Sequence, residues 1–249
     1  MKGIILAGGT GSRLGPLSKV TNKHLLPVGP VPMIYYPIAQ LLENRITKIC
    51  IVSGTHHLGS VVTLLGSGAK FGCEFTYRVQ DQAGGIAEAL LLCEDFSGRD
   101  DVAVFLGDNI FGNPMNLNVP VGSLATLYLK EVPDPERFGV AEVDHMKKLI
   151  DIEEKPASPK SNMAVTGAYV YTNDVWDVVN NISKSDRGEY EISDVNKALL
   201  KKGPVRIKEV LGLWSDAGTQ ESLKTANQKV WTDLSDPLME RIASMADAS

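Results

Sequence analysis

The first half of the chain alternates short apolar runs with amphipathic stretches. Runs of strand character cover residues 3–6, 49–52, 75–79 and 102–106. Between them, apolar residues recur at helical spacing near residues 33–44, 57–65 and 86–94. This alternation predicts an α/β fold with a mostly parallel sheet that helices cover.

From residue 124 onward, the pattern changes to closely spaced strands interrupted by two helices. The predicted strands are 124–129, 139–143, 149–152, 165–171 and 205–209, and the predicted helices are 174–182 and 192–202. We therefore expect a mixed sheet in this half. Because no Pro/Gly/Ser linker separates the halves, we expect one domain over residues 1–235. A helical tail over residues 236–249 follows, and terminal helices are predicted at 219–231 and 238–246, the first capped by Thr219.

The composition excludes several classes of protein. Hydrophobic residues make up 43% of the chain and charged residues 22%, which argues against disorder. A net charge of −5 argues against a protein that binds nucleic-acid backbone, because that needs a basic face. No apolar run is long enough to predict a membrane helix. The three cysteines show no metal-ligand spacing, so we expect reduced thiols in a cytoplasmic protein.

A glycine-rich turn follows the first strand. Gly8, Gly9 and Gly11 let the backbone approach a polyphosphate, and Arg13 adds a forked donor for phosphate oxygens. The dinucleotide pattern G-x-G-x-x-G fails because its last position is Leu14, and the Gly-Lys-Ser/Thr of a P-loop is absent. A tight turn without a ligand is the alternative reading.

Other candidate residues are ambiguous one by one. Lys23 comes soon after the glycine turn, yet most lysines are solvated surface charges. His24, next to it, is better explained by packing or exposure than by catalysis. Asp108 follows a predicted strand at the edge where α/β sheets bind ligands, and a carboxylate there suits Mg²⁺. Asp216 offers a second carboxylate, although either one could instead cap a turn.

A charged cluster, Glu153-Glu154-Lys155-Pro156, follows the strand predicted at 149–152. It could be an exposed turn closed by proline. Alternatively, Lys155 could hold a phosphate group while Glu154 accepts hydrogen bonds from sugar hydroxyls.

Taken together, the segments resemble the sugar nucleotidylyltransferase family, most closely its short members that use dTTP and glucose 1-phosphate. The resemblance is carried, in consistent order along nearly the whole chain, by MKGIILAGGTGSRL, NKHLLPVG, PMIYYP, FTYRVQDQAGGIAEAL, LGDNIF, DPERFGVAE, IEEKP, SNMAVTGAYVY, RGEYEISDVN and WSDAGTQESL.

This resemblance implies a reaction and a set of roles. The enzyme would transfer a nucleotidyl group from dTTP to α-D-glucose 1-phosphate with Mg²⁺ as cofactor, and would form a homo-oligomer, a dimer or tetramer. The implied nucleotide-site residues are Leu6, Gly8 and Gly9, with Gln80 and Gly85 for the base. Arg13 and Lys23 would contact the triphosphate, and Asp108 and Asp216 would bind the metal. Lys155 would hold the sugar phosphate, and Gly139, Glu154, Val165 and Tyr169 would surround the hexose.

The sequence departs from the family at a few positions. Gly15 and Phe138 stand where tyrosine is common, Gly84 stands where several members have aspartate, and the segment 113–121 is shortened. These departures affect loop geometry and substrate preference, but every charged position implied in catalysis is retained.

Other functions stay open from sequence alone. Thymine and uracil differ by one methyl group, worth about 1–3 kcal/mol in an apolar pocket, so UTP is an alternative substrate. Glucosamine 1-phosphate or galactose 1-phosphate is likewise an alternative to glucose 1-phosphate. A non-catalytic sensor module with the same fold would be expected to lose metal or lysine positions. A dinucleotide-dependent oxidoreductase conflicts with the glycine spacing.

Overall fold

The computed structural model describes residues 1–9 and 11–247. Thr10, inside the predicted glycine turn, and residues 248–249, at the end of the predicted tail, lie outside the described residues. The chain divides into two compact units. The first unit comprises Met1–Ala83, Phe105–Asn116 and Leu211–Ser249, and the second comprises Gly84–Val104 and Leu117–Val210. A single domain over residues 1–235 stays a prediction.

Strands and helices alternate through the first half. The strands, in chain order, are β1 (Lys2–Ala7), β2 (Pro27–Val28), β3 (Val31–Pro32), β4 (Lys48–Gly54), β5 (Glu74–Gln80), β6 (Val102–Leu106), β7 (Asn109–Phe111), β8 (Ala125–Glu131), β9 (Gly139–Val143), β10 (Leu149–Glu154), β11 (Met163–Tyr171), β12 (Val205–Glu209) and β13 (Trp214–Asp216). The α-helices are α1 (Leu17–Val20), α2 (Tyr35–Glu43), α3 (Leu58–Leu65), α4 (Ile86–Leu91), α5 (Glu94–Ser97), α6 (Val175–Val179), α7 (Ile192–Lys202), α8 (Gln220–Asp233) and α9 (Asp236–Asp247). Short 3₁₀ turns lie at Ser12–Leu14, Lys23–Leu25, Ala69–Phe71 and Pro135–Arg137.

The first unit contains a parallel arrangement of strands. β4 pairs in parallel with β1 on one side and with β5 on the other, and the end of β6 lies beside β1. β1 and β4 are buried along most of their length, as continuous apolar strands are when both sheet faces are covered. The carboxyl ends of β1, β4 and β5 therefore meet at one edge, which is where α/β sheets bind ligands.

The second unit contains a mixed sheet. β11 pairs antiparallel with both β8 and β9, β9 pairs antiparallel with β10, and β12 pairs in parallel with β8. β10 mixes buried with exposed residues, as expected for a strand with one solvated face. The predicted fold class, a mostly parallel half and a mixed half, is confirmed.

Several predicted bounds agree with the structure to the residue. They are those of β6, β9, β12 and α7. The helix predicted from residue 33 begins instead at Tyr35. The backbone N–H groups of Met33 and Ile34 donate to the carbonyls of Leu26 and His24, so they are engaged outside the helix.

Two predicted helices are shorter than their patterns. The stretch 86–94 divides into α4 and α5. The stretch 174–182 forms only α6, because the side chains of Asn180 and Asn181 donate to the carbonyls of Trp176 and Asp177 and compete with further helical turns.

The C-terminal helices belong to the first unit. Thr219 caps α8, because its hydroxyl accepts from the Ser222 N–H while the Ser222 hydroxyl accepts from the Thr219 N–H, a reciprocal capping box. α9 packs against α2 and buries Leu238, Ile242 and Met245. Among the described residues, no helix is long and apolar enough to cross a membrane.

Candidate active site

The glycine turn leaves β1 in a tightly packed position. A Cβ on Gly8 would lie 2.4 Å from Oε1 of Gln80, and a Cβ on Gly54 would lie 3.2 Å from the Gly8 carbonyl oxygen. Gly8 is therefore enclosed by the ends of β4 and β5, and no larger residue fits there without a shift. The structure brings the predicted nucleotide residues Leu6, Gly8, Gly9 and Gln80 to one edge of the first unit.

Lys23 lies in a 3₁₀ turn that Asn22 fixes to this edge. The Asn22 amide donates to the Ala7 carbonyl at 3.4 Å and to the Ser53 hydroxyl at 3.3 Å. Its Oδ1 accepts from the backbone N–H and ring Nδ1 of His24, at 2.9 and 2.7 Å. Asn22 thus joins the turn that carries Lys23 to the ends of β1 and β4.

Lys23 reaches both the glycine turn and Asp108. Its Nζ lies 2.5 Å from Oδ2 of Asp108, and a Cβ on Gly9 would lie 3.5 Å from the same Nζ. Burial by itself would raise the pKa of Asp108, but the charge of Lys23 and hydrogen bonds from Lys23 and Asn109 hold that pKa well below its ordinary value. Asp108 is therefore ionised at neutral pH.

The side chain of His24 lies near the charges of Lys23 and Asp108. The side chain is buried, and burial, helped by the charge of Lys23, lowers its pKa to about 3. The ring is neutral at pH 7, and Nδ1 carries the proton because Asn22 Oδ1 can only accept. The sequence analysis expected packing or exposure rather than catalysis for His24, and the residue is buried.

A pairing of two short strands brings Asp216 close to Asp108. β13 pairs antiparallel with β7 so that Asp216 lies opposite Asn109, and the Ala217 N–H donates to the Asp108 carbonyl at 2.8 Å. A Cβ on Gly218 would lie 3.3 Å from Asp108 Oδ2 and 3.5 Å from Arg13 Nη2. Arg13, Lys23, Asp108 and Asp216 therefore gather in the first unit.

The donor set fits a hard divalent cation. Mg²⁺ is usually held by one or two carboxylates together with substrate phosphates and water, rather than by a full protein cage. Asp108 is ionised. Asp216 lies opposite Asn109, the residue that follows Asp108. Within residues 1–9 and 11–247, no group of three or more His, Cys, Asp or Glu side chains could hold a metal by itself. A metal here would need phosphate ligands.

In the second unit, Glu154 lies at the centre of a polar cluster. It pairs with Gly139 across β9 and β10, and its Oε2 accepts from the Ser193 hydroxyl at 2.5 Å. A Cβ on Gly139 would lie 2.7 Å from that hydroxyl, so the glycine leaves room for the contact. Two cations approach Oε1 of Glu154, Lys155 Nζ at 3.5 Å and Arg187 Nη1 at 3.4 Å.

Lys155 has an uncommon backbone conformation. Its φ is +44°, in the left-handed region that non-glycine residues rarely adopt, and its N–H donates to the Phe138 carbonyl at 2.9 Å. Such a conformation persists only where the surroundings hold it, and it is often found at functional sites.

The remaining sugar-site candidates lie on β11. Val165 and Tyr169 are buried and pair with Leu129 and Leu127, with a register shift between them. The Tyr169 ring stacks on Tyr171, with ring centroids 5.7 Å apart. β11 lies beside β9, the strand that carries Gly139.

Arg187 was missed by the sequence analysis. It contacts Glu154 and also Glu191, whose Oε1 lies 3.2 Å from Arg187 Nη1. The signal was present, because Arg187 opens the string RGEYEISDVN that carried part of the resemblance. No spacing rule singled it out from other surface arginines.

Comparison with known proteins shows the family of this chain. The family model described as nucleotidyl transferase matches residues 2–233. A glucose-1-phosphate thymidylyltransferase from Neisseria meningitidis is 42% identical over 240 residues, covering 93% of this chain and 83% of the relative. One from Mycobacterium tuberculosis is 41% identical with the same coverage.

Solved structures give the same result. The crystal structure of a candidate glucose-1-phosphate thymidylyltransferase from Bacillus anthracis, in complex with sucrose, has a TM-score of 0.87 and 50% identity, covering 96% of this chain and 99% of that one. A UDP-glucose pyrophosphorylase complexed with UDP-glucose has a TM-score of 0.81 at 22% identity, which supports the fold alone. This chain therefore belongs to the nucleotidyl transferase family, in the group of the glucose-1-phosphate thymidylyltransferases.

Proposed function

We propose that the protein joins dTTP to α-D-glucose 1-phosphate and releases dTDP-glucose and pyrophosphate. The observation that carries the proposal is the cluster at the end of β1. There, Lys23 Nζ lies against both the glycine turn and ionised Asp108, and Gly218 lies near both Asp108 Oδ2 and Arg13 Nη2. The family membership and the names of the relatives support the choice of substrates.

The reaction needs no general base. A phosphate monoester with a second pKa of about 6 is mostly a dianion at pH 7, so its oxygen can attack directly. That oxygen forms a bond to the α-phosphorus of dTTP, the bond from this phosphorus to the bridging oxygen breaks, and pyrophosphate leaves. His24, held neutral and bonded to Asn22, is not required as a base.

The protein must bring two anions together and stabilise the leaving group. In this proposal, Lys155 and Arg187 hold the phosphate of the sugar, Arg13 contacts the departing pyrophosphate, and Lys23 contacts the transferring phosphoryl group. Lys23 already contacts Asp108, so a triphosphate would compete with that carboxylate for its ammonium group.

Asp108 and Asp216 would hold Mg²⁺ in the loaded enzyme. When bound, the ion supplies charge neutralisation to the phosphate oxygens. Two carboxylates alone make a weak site, so the ion would bind together with the nucleotide.

The remaining roles follow the family resemblance. Leu6, Gly8 and Gly9 line the nucleotide site, and Gln80 and Gly85 recognise the pyrimidine. Glu154, pinned by Ser193, accepts hydrogen bonds from the hexose, with Gly139, Val165 and Tyr169 around it. We further propose a cytoplasmic homo-oligomer, a dimer or tetramer.

The test is pyrophosphate release across a panel of nucleoside triphosphates and sugar 1-phosphates, with and without Mg²⁺. We expect dTTP with glucose 1-phosphate to give the highest kcat/KM, and chelation of the metal to abolish turnover. Higher kcat/KM with UTP would overturn the base assignment, and no pyrophosphate from any pair would overturn the reaction.

A further inference from the structure

Two adjacent glycines in the second unit, Gly84 and Gly85, differ in what surrounds them. Gly85 has a φ of +119°, and a Cβ there would lie 2.4 Å from the backbone oxygen of Tyr190. Both the conformation and the neighbouring backbone exclude a side chain. Gly84 shows no positive φ, so its own backbone would accept any residue.

The space beside Gly84 is occupied by a carboxylate. A Cβ on Gly84 would lie 2.4 Å from Oε1 of Glu88 and 2.6 Å from its Cδ. The Gly84 N–H donates to Oε2 of the same side chain at 3.0 Å. Glu88 lies in the first turn of α4, and its carboxylate reaches back past the N-cap residue Gly85 to Gly84.

The Tyr190 backbone also contacts this segment. Its N–H donates to the Gly84 carbonyl at 2.8 Å, and its carbonyl accepts from the Ala87 N–H at 3.1 Å. The Glu88 side chain therefore holds the N–H of Gly84, and the Tyr190 backbone holds its carbonyl.

We propose that Glu88 is a positioning residue for recognition of the nucleotide base. The inference rests on the proposed function, in which Gly85 contacts the pyrimidine. Several members of the family have aspartate at the position of Gly84. In this chain, Glu88 places a carboxylate in the space beside that glycine. By accepting from the Gly84 N–H, Glu88 fixes the residue whose carbonyl shares a peptide group with the Gly85 N–H, and so orients Gly85 toward the base.

The first test measures the Kd of dTTP and of dCTP by calorimetry, without the sugar phosphate. Glu88→Ala should weaken dTTP binding about tenfold, because a displaced Gly85 loses the equivalent of one hydrogen bond to the base. The loss for dCTP should be smaller, because a cytosine base makes fewer of the contacts that the Gly84–Gly85 segment offers to thymine, so the preference for dTTP falls. Glu88→Gln keeps an acceptor oxygen and should stay within about threefold of wild type.

Glu209→Ala, which removes an exposed glutamate of the same unit, is the matched control and should leave both Kd values unchanged. If Glu88→Ala lowers the melting temperature but leaves the preference for dTTP at its wild-type value, Glu88 is structural only and the proposal is wrong. An equal loss in Glu88→Gln and Glu88→Ala would also overturn it.

The second test exchanges the position of the carboxylate. Gly84→Asp alone should weaken dTTP binding, because the new side chain meets Glu88. In the Glu88→Ala background, the same substitution should strengthen dTTP binding several-fold. The effect of Gly84→Asp on affinity therefore changes sign between the two backgrounds. Weaker binding in both backgrounds would contradict the proposal.

Absence of dTTP binding and turnover in the wild-type protein would overturn the proposed function as well, whereas wild-type activity with unaffected variants overturns only this inference.

Discussion

The two units hold their charged side chains in different ways. In the first, Lys23 and Asp108 meet at 2.5 Å with only 12% and 13% of their side chains exposed. In the second, Lys155 and Arg187 approach Glu154 at 3.5 and 3.4 Å with 39% and 43% exposed. Solvent screens the second cluster but hardly reaches the first, so breaking the buried pair should cost more.

This difference separates two tasks. A buried, fixed pair suits the binding of a triphosphate and a metal, whose charges must be neutralised at defined positions. A half-exposed cluster of cations shared among carboxylates can release Lys155 and Arg187 to an incoming phosphate at small cost. Substitutions in the two units should therefore differ in size and in the kinetic constant that they change.

The largest effect is expected from Asp108→Asn. Loss of the charge that pairs with Lys23, and that we propose holds the metal, should lower kcat on the order of a hundredfold to a thousandfold, as expected for one group that stabilises transition-state charge. Pyrophosphate release measures it. Asp100→Asn, which neutralises an exposed aspartate, should leave kcat unchanged. Near-normal turnover by Asp108→Asn would contradict the assignment of the metal to Asp108. It would also contradict the expectation that substitutions in the first unit have the larger effects.

Lys155→Met should act mainly on the sugar phosphate. Loss of one half-exposed cation should lower kcat/KM for glucose 1-phosphate about ten- to hundredfold, largely through KM, because charge-assisted contacts contribute about 1.5–3 kcal/mol. Steady-state kinetics with saturating dTTP measure it, and Lys160→Met provides an exposed lysine of the same unit as control. A rise in KM for dTTP alone would assign Lys155 to the other substrate.

The buried position of His24 predicts a pH dependence of stability. Its pKa is about 3 in the folded protein and about 6.5 when unfolded, so below pH 6.5 the unfolded chain binds a proton that the native state does not. Stability should then fall as the pH falls, by about 1.5 kcal/mol between pH 6.5 and 5 from this residue.

Urea unfolding at both pH values checks this prediction. The His24→Gln variant should lose that part of the pH dependence, whereas His145→Gln, at an exposed position, should keep it. An identical pH dependence in wild type and His24→Gln would contradict the prediction that His24 stays unprotonated in the folded protein.

The smallest effect concerns the helix that follows Asp216. Thr219→Ala removes the side-chain half of the capping box at the start of α8 and should lower the free energy of unfolding by about 1 kcal/mol. Chemical denaturation measures it. Thr232→Ala, at an exposed position near the end of the same helix, should have less effect, and equal losses would argue against a special role of the cap.

Much of the first unit could be predicted from the sequence because its signals are local. The glycine turn, Lys23 and Asp108 all follow or adjoin strands whose ends meet at one edge, and the sheet topology brings them together. Asp216 is different. Its position depends on β7 and β13, strands of three residues each, which are too short to show periodicity and are far apart in the chain.

The second unit was harder to predict for the same physical reason. The cluster around Glu154 forms where the start of α7, carrying Ser193, meets β10 and where the loop with Arg187 returns to it. No short pattern in the sequence encodes these contacts between distant segments. The left-handed conformation of Lys155 is equally hidden, because nothing in a Glu-Lys-Pro string requires it.

The central claim is that each unit holds the phosphate groups of one substrate. The most direct test is a side-by-side measurement of KM for dTTP and for glucose 1-phosphate in Lys23→Met and Lys155→Met. The account predicts that Lys23→Met raises KM for dTTP or lowers kcat at least tenfold while KM for glucose 1-phosphate stays within about threefold. Lys155→Met should show the opposite preference. If both variants raised the same KM by the same factor, the assignment of one substrate phosphate to each unit would be contradicted.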